Sequence, residues 1–160
     1  MRRQRLALAA GTMLFAAAPA QAQGRGAVAA AAAMDSMADA IRRQDGAKML
    51  RTYADSGLIY SSHGMLVTSR PALDSVYGAW DSTKTRGSVM IWQDRRYEVL
   101  GPRAVLATAR FRLAIGNRTG TPADTTIGTW TGVFVKRNGR WVLFHEHESF
   151  AAPQSRGDSR

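Results

Sequence analysis

The run His145-Glu146-His147-Glu148 sets two imidazoles and two carboxylates in four consecutive positions, at the end of the apolar and aromatic stretch Trp141 to Phe144. Three kinds of chemistry are open to such residues. Two histidines spaced i, i+2 on a strand can share one metal ion. A carboxylate in a dry pocket can move a proton beside a carbonyl. An acid near an arginine can hold the polar end of a ligand. The metal reading needs a third ligand, and the remaining histidine, His63, falls in a predicted hairpin turn with no acid placed beside it. His145 and His147 therefore read first as neutral, hydrogen-bonded residues of a sheet surface next to Trp130, and as metal ligands only second.

Which way each side chain points depends on the strand. Asn138-Gly139 is a strong two-residue hairpin signal. Counting outward from it pairs Phe134 with Leu143, Gly132 with His145 and Trp130 with His147 on one face. The other face then takes Thr131 with Glu146 and Thr129 with Glu148, because side chains alternate with period two. The histidines and the glutamates are predicted to point in opposite directions, with the glutamates toward the helices.

The rest of the chain supplies the frame. Met34, Met37, Ala38 and Ile41 recur at i, i+3, i+4 and i+7, the stripe of an amphipathic helix, with Asp45 capping a second short helix that carries Ala47, Leu50 and Tyr53. Leu58 to Ser62 and Met65 to Val67 form a short hairpin around His63-Gly64. Ser69 then caps a helix with Pro71 in its first turn and the stripe Leu73, Val76, Tyr77, Trp80. Strands follow over 88–100, 104–115, 125–137 and 141–150, interrupted at Gly101-Pro102, in the Gly116 to Pro122 loop and at Asn138-Gly139. Helices followed by a long antiparallel meander predict an α+β fold, the helices packed on one face of a curved sheet.

Residues 1–22 have the pattern of a secretory signal peptide: Arg2, Arg3 and Arg5, an uncharged apolar run from Leu6 to Ala18, Pro19, and Ala20-Gln21-Ala22 as the cleavage site. The apolar run is short for a membrane span, so the mature chain is expected to be exported to the periplasm or the medium without an anchor. Removing this segment from the 160 residues leaves 138 and lowers the formal charge from +10 to +7. Lys and Arg are scattered rather than clustered, which argues against nucleic acid as a partner. Without cysteine there is neither a disulfide framework nor thiol chemistry. Residues 23–33 read as an Ala/Gly-rich leader, 34–150 as the domain and 151–160 as a polar tail, whose Arg156-Gly157-Asp158 matches an adhesion motif in letters only. Both faces of the final hairpin are apolar near the turn. One is to be covered by helices and the other by a second copy of the sheet, so a homodimer is expected.

The short helical start, the helix ending in an aromatic, the long strands and the ending "NGRWVLFHEHES" resemble the nuclear transport factor 2-like superfamily, in particular its SnoaL-like or DUF4440 branch, over roughly Met34 to Phe150. The ending is also similar to the association domain of calcium/calmodulin-dependent kinase. The resemblance implies a cone-shaped α+β fold, often dimeric, with a pocket between sheet and helices. Carried over from the kinase domain, the pocket residues are Arg110 and Glu148, the latter an acid where that relative has a base. Tyr53, Tyr60, Tyr77, Trp80 and Trp92 fall at or near inward positions, and the ligand set expected is Tyr60, Trp80, Trp92, Arg110 and Glu148. Glu148 is the candidate catalytic carboxylate, with Glu146, Asp35 and Asp39 behind it. No cofactor is called for. Three readings stand at this point: binding of a small, partly apolar ligand; a SnoaL-like isomerase, cyclase or hydrolase using a pocket carboxylate; and a homodimeric assembly module.

Overall fold

The computed structural model describes residues 18–83, 87–116 and 125–151. Its elements are α1 (Ala18–Arg43), α2 (Gly46–Leu50), β1 (Ile59–Ser62), β2 (Met65–Val67), α3 (Arg70–Thr83), β3 (Val89–Gly101), β4 (Ala104–Ala114), β5 (Thr126–Arg137) and β6 (Arg140–Phe150). The six strands make one sheet in the order β2-β1-β6-β5-β4-β3. All neighbours are antiparallel except β1 and β6, which run parallel. This is the predicted α+β architecture with one addition, a first strand laid along the last.

The expected leader over residues 23–33 is corrected: those residues belong to α1. Ala30 is fully buried, and Gly26 lies against Val105 and Trp141. Small residues carry the helix over the sheet there, where a large apolar stripe has no room. The stripe Met34, Met37, Ala38 and Ile41 is buried as predicted. Gln44 ends the helix in the left-handed region, φ 53°, and its side-chain amide donates to Ile41 O at 2.9 Å. Asp45 caps α2 by accepting from Lys48 N at 2.7 Å. A side chain at Gly46 would collide with the Tyr77 carbonyl, so glycine is what lets α2 close on α3.

The turn at Asn138 and Gly139 has φ of 49° and 79°, as a two-residue hairpin loop requires. The predicted register holds from there to Phe134 with Leu143, and then breaks. Val133 pairs with His145, so Phe144 is an extra residue in β6. Beyond this bulge Gly132 faces Glu146 and Trp130 faces Glu148. The predicted pairs Gly132 with His145 and Trp130 with His147 are corrected accordingly. The count from the turn had placed the histidines on the face of Trp130 and Phe134. The bulge turns them out and brings both glutamates to that inner face. A second irregularity between Gln93 and Arg96 in β3, with Asp94 at φ 50°, reverses the facing of that strand too. Trp92 points inward before it, and Tyr97, beside the buried Ala107, points inward after it.

Candidate functional site

The inner face of β6 meets three tyrosines from three different segments. Tyr53 is held by a short parallel addition to β6, in which Leu143 N donates to Thr52 O and Ala54 N donates to Leu143 O, both at 2.8 Å. Tyr60 comes from β1, where it pairs with Glu146. Tyr77 comes from the buried stripe of α3. Their rings pack at centroid distances of 5.8 to 6.4 Å, two of the three pairs edge to face. Trp80 joins edge-on to Tyr77 at 4.9 Å.

Glu146 ends among them, 1 % exposed. One carboxyl oxygen accepts from Trp130 Nε1 at 2.6 Å, and the other accepts from the Tyr53 hydroxyl. Tyr53 and Tyr77 share a further hydroxyl contact at 2.9 Å. A side chain at Gly132 would strike the Trp130 ring, so glycine there is what allows the indole to lie across β5 toward Glu146. Burial, and the charge of Glu148 nearby, push the Glu146 pKa up to about 8 against the downward pull of its two donors. Burial also raises Tyr53 and Tyr77 well above the ordinary tyrosine value and Tyr60 to about 12.

Glu148, two residues on, occupies different ground. It accepts from Ser62 Oγ, and burial raises its pKa against that hydrogen bond and the nearby His63 and His147. It also reaches a cavity of about 210 Å³ walled by Ile41, Met49, Val76, Leu113 and Ile115, with Tyr60, Tyr77, Trp80, Gln44 and His63 completing the lining. That volume corresponds to roughly seven waters at about 30 Å³ each. The arrangement is an apolar, aromatic hollow between helices and sheet with a carboxyl in its wall.

Of the residues singled out from the sequence, Tyr60, Trp80 and Glu148 come together on this cavity. Trp92 does not: its Nε1 donates to Met34 O at 2.8 Å, and its ring packs on Trp130 and Phe111, which pins α1 to the sheet. Arg110 is also corrected. Ala109 and Phe111 are buried, so the alternation of β4 sends Arg110 to the outer face, where it is exposed and paired with Asp94. There it lines a hollow of about 310 Å³ at the sheet end, with Ile127 and Ser149, and its exposed side chain is the one charged group of that lining. The first-helix acids are engaged elsewhere, Asp35 with Arg95 at 2.6 Å and Asp39 with Lys48 at 2.6 Å. Asp39 is held down at about 2 by hydrogen bonds from Lys48 and Arg43. His145 and His147 lie on the outer face, away from Trp130; His147 Nδ1 is 3.3 Å from Ser61 Oγ. Among the described residues no group of three His, Asp or Glu side chains is placed to hold a metal.

Two features went unread in the sequence. The hydrogen-bonded chain Trp130, Glu146, Tyr53, Tyr77 depends on the bulge. The Ser62 contacts to Glu148 and His63 depend on β1 lying beside β6. The adjacent serines before a turn histidine were the one available signal, and the strand count alone could not connect them to residue 148.

A match to the SnoaL-like domain family spans residues 30–153. None of the curated proteins matches by sequence. Among solved structures, a nuclear transport factor 2-like superfamily protein from Salmonella enterica superposes with TM-score 0.67 at 16% identity, over 88% of this chain and 99% of that one. The association domain of C. elegans CaMKII gives 0.66 at 17%, over 81% and 98%. A hexachlorocyclohexane dehydrochlorinase, LinA type 2, gives 0.69 at 8%, over 83% and 90%. At these identities the likeness is one of fold.

Proposed function

This chain belongs to the SnoaL-like domain family, within the nuclear transport factor 2-like superfamily, and from that premise we propose that it binds a small, partly apolar ligand between helices and sheet, with the ligand's polar end at Glu148. The observation that carries the reading is a single carboxylate in the wall of a cavity otherwise lined mainly by aliphatic and aromatic side chains. A carboxyl accepts hydrogen bonds in either protonation state and donates one when protonated, and burial shifts the balance at Glu148 toward the protonated form. It therefore suits a carbonyl or hydroxyl better than a second acid.

A second reading, a cofactor-independent isomerase, cyclase or hydrolase with Glu148 as proton acceptor, is favoured by the raised pKa of that carboxyl in apolar surroundings, the condition a general base near neutrality needs. A dehydrochlorinase on the same fold adds support of the general kind that fold analogy offers. The proposal extends to a homodimer through the outer sheet face, where Ile91 and Ile127 stand exposed on either side of Arg112, and to export, supported by the amino-terminal pattern of residues 1–22.

The test is a thermal-shift screen of the protein against small cyclic ketones, alcohols and aromatic acids, with Glu148→Gln alongside. A ligand at a hundred times its Kd stabilises the fold by about 2.7 kcal/mol, a shift of several degrees. The expected result is a shift in the wild type that is lost in a folded Glu148→Gln. No shift with any member of the panel would sink the ligand reading and favour an assembly module.

A further inference from the structure

Ser62 stands where the cavity carboxyl, a buried hydroxyl and a solvent-facing imidazole meet. It is the last residue of β1 and 1 % exposed. Its Oγ contacts Glu148 Oε2 on one side and His63 Nδ1, at 2.9 Å, on the other. His63 is exposed, held in the left-handed region at φ 51° by the hairpin turn, with its ring on Phe150 at a centroid distance of 3.8 Å. His63 and Glu148 both line the cavity. A hydroxyl has one proton to give. If Ser62 donates to the carboxylate, it accepts from Nδ1–H of His63, and Nε2 is the free ring nitrogen.

We propose that His63, acting through Ser62, is the proton path between solvent and the cavity carboxyl of Glu148. The inference rests on the reading of Glu148 as the polar group of the cavity. In the step, the Nδ1–H bond of a doubly protonated His63 breaks as a new O–H bond forms at Ser62 Oγ, while the original Ser62 proton passes to Glu148 Oε2. An imidazolium and a carboxylate become a neutral imidazole and a carboxyl, and Ser62 ends as it began. The reverse step returns the proton. Proton exchange at Glu148 then needs no water inside the cavity, which lets an apolar ligand fill it.

The order of groups excludes the more familiar use of the same three residue types. In nucleophilic catalysis the imidazole sits between hydroxyl and carboxylate. Here the hydroxyl sits between the other two and is buried, so Ser62 relays a proton and does not attack a carbonyl. The titratable groups around the relay are Glu146 on the same face of β6, Tyr60 of β1, Tyr77 of α3 and His147 on the far face of β6. His63 and Ser62 are the groups that connect Glu148 to the surface through contacts of hydrogen-bond length.

The deciding measurement is the tautomer of neutral His63, read from long-range proton–nitrogen correlations on uniformly ¹⁵N-labelled protein. At alkaline pH, where Glu148 is ionised, the neutral ring is expected to carry its proton on Nδ1, and once Glu148 is protonated the relay leaves Nδ1 bare. Ser62→Ala and Glu148→Gln are expected to shift it toward Nε2, and Ser62→Thr, which keeps the hydroxyl, to retain Nδ1–H. A wild type whose Nδ1 stays bare at alkaline pH, where Glu148 is ionised, would overturn the relay, since Ser62 would then donate to His63 and not to the carboxylate; this outcome needs no variant to fold. Nδ1–H that persists in Ser62→Ala would overturn it as well. Because the protein is ligand-free in this experiment, a failed relay leaves the ligand reading standing, and a failed ligand screen leaves the tautomer result intact.

Discussion

Glu146 and Glu148 are the same residue type, two positions apart on one strand and on one face, yet they occupy opposite kinds of site. Glu146 is sealed beneath three tyrosines and Trp130, with both carboxyl oxygens bound by donors from the protein. Glu148 has one protein donor and a cavity beyond it. The difference shows that a buried carboxyl becomes a structural element or a chemical one according to whether its hydrogen-bonding capacity is used up. Glu146 has little left for a ligand. Among the described residues Glu148 takes a side-chain hydrogen bond from Ser62 and lines an apolar space, which is why the functional reading rests on it.

The sharpest way to break the comparison is to remove what seals Glu146. Trp130→Ala deletes a fully buried ring and one of the two donors to the carboxyl, and is expected to cost about 3–5 kcal/mol in chemical denaturation. Loss of under 1 kcal/mol would mean that Glu146 is hydrated and not sealed.

The next largest effect is on pH dependence. Folded, Glu146 holds its proton to about pH 8, against an ordinary value of 4.5, its O–H then donating to the Tyr53 hydroxyl, which in turn donates to Tyr77. Below pH 4.5 it is protonated in both states, so its contribution to stability is fully present there. As pH rises toward 8 only the unfolded chain releases the proton, so stability falls by roughly 1 kcal/mol per pH unit and levels off above that. Glu146→Gln is expected to flatten the slope of unfolding free energy between pH 5 and 8, measured by denaturant titration at a series of pH values. A slope equal to that of the wild type would show that Glu146 is ionised in the fold.

The smallest effects belong on the outer face. Arg110→Ala and His147→Ala remove exposed groups, one of them an exposed ion pair, and are each expected to change stability by no more than about 0.5 kcal/mol. A loss of several kcal/mol in denaturant titration would place these side chains in a buried contact, such as one between two copies of the chain.

Much of this molecule follows from local pattern. The stripes of α1 and α3, the caps at Asp45 and Ser69, the turn at Asn138-Gly139 and the four long strands each depend on residues within a turn or two of one another. Helical spacing, capping and hairpin geometry act over that range, so the α+β class and the ends of β3 to β6 were legible to within a residue or two. That Glu146 and Glu148 face the helices was also anticipated, although through a register that does not occur. The mismatch lies in Phe144. Nothing in Val142-Leu143-Phe144-His145 marks one of them as the extra residue. The bulge exists because Leu143, Glu146 and Glu148 all find inner-face partners across the sheet, and those partners come from Trp130, Tyr53 and Ser62, far away in the chain. Arg110 fell on the wrong face for a related reason. Its strand alternates regularly, but which parity faces the helices is decided by Ala107, Ala109 and Phe111 packing inward. The sequence by itself determined the elements and the turn that starts the register. Only the tertiary structure decided which carboxyl is sealed, which one meets the cavity, and that a serine on β1 stands between it and a histidine, because those outcomes rest on pairings between distant strands that no local periodicity encodes.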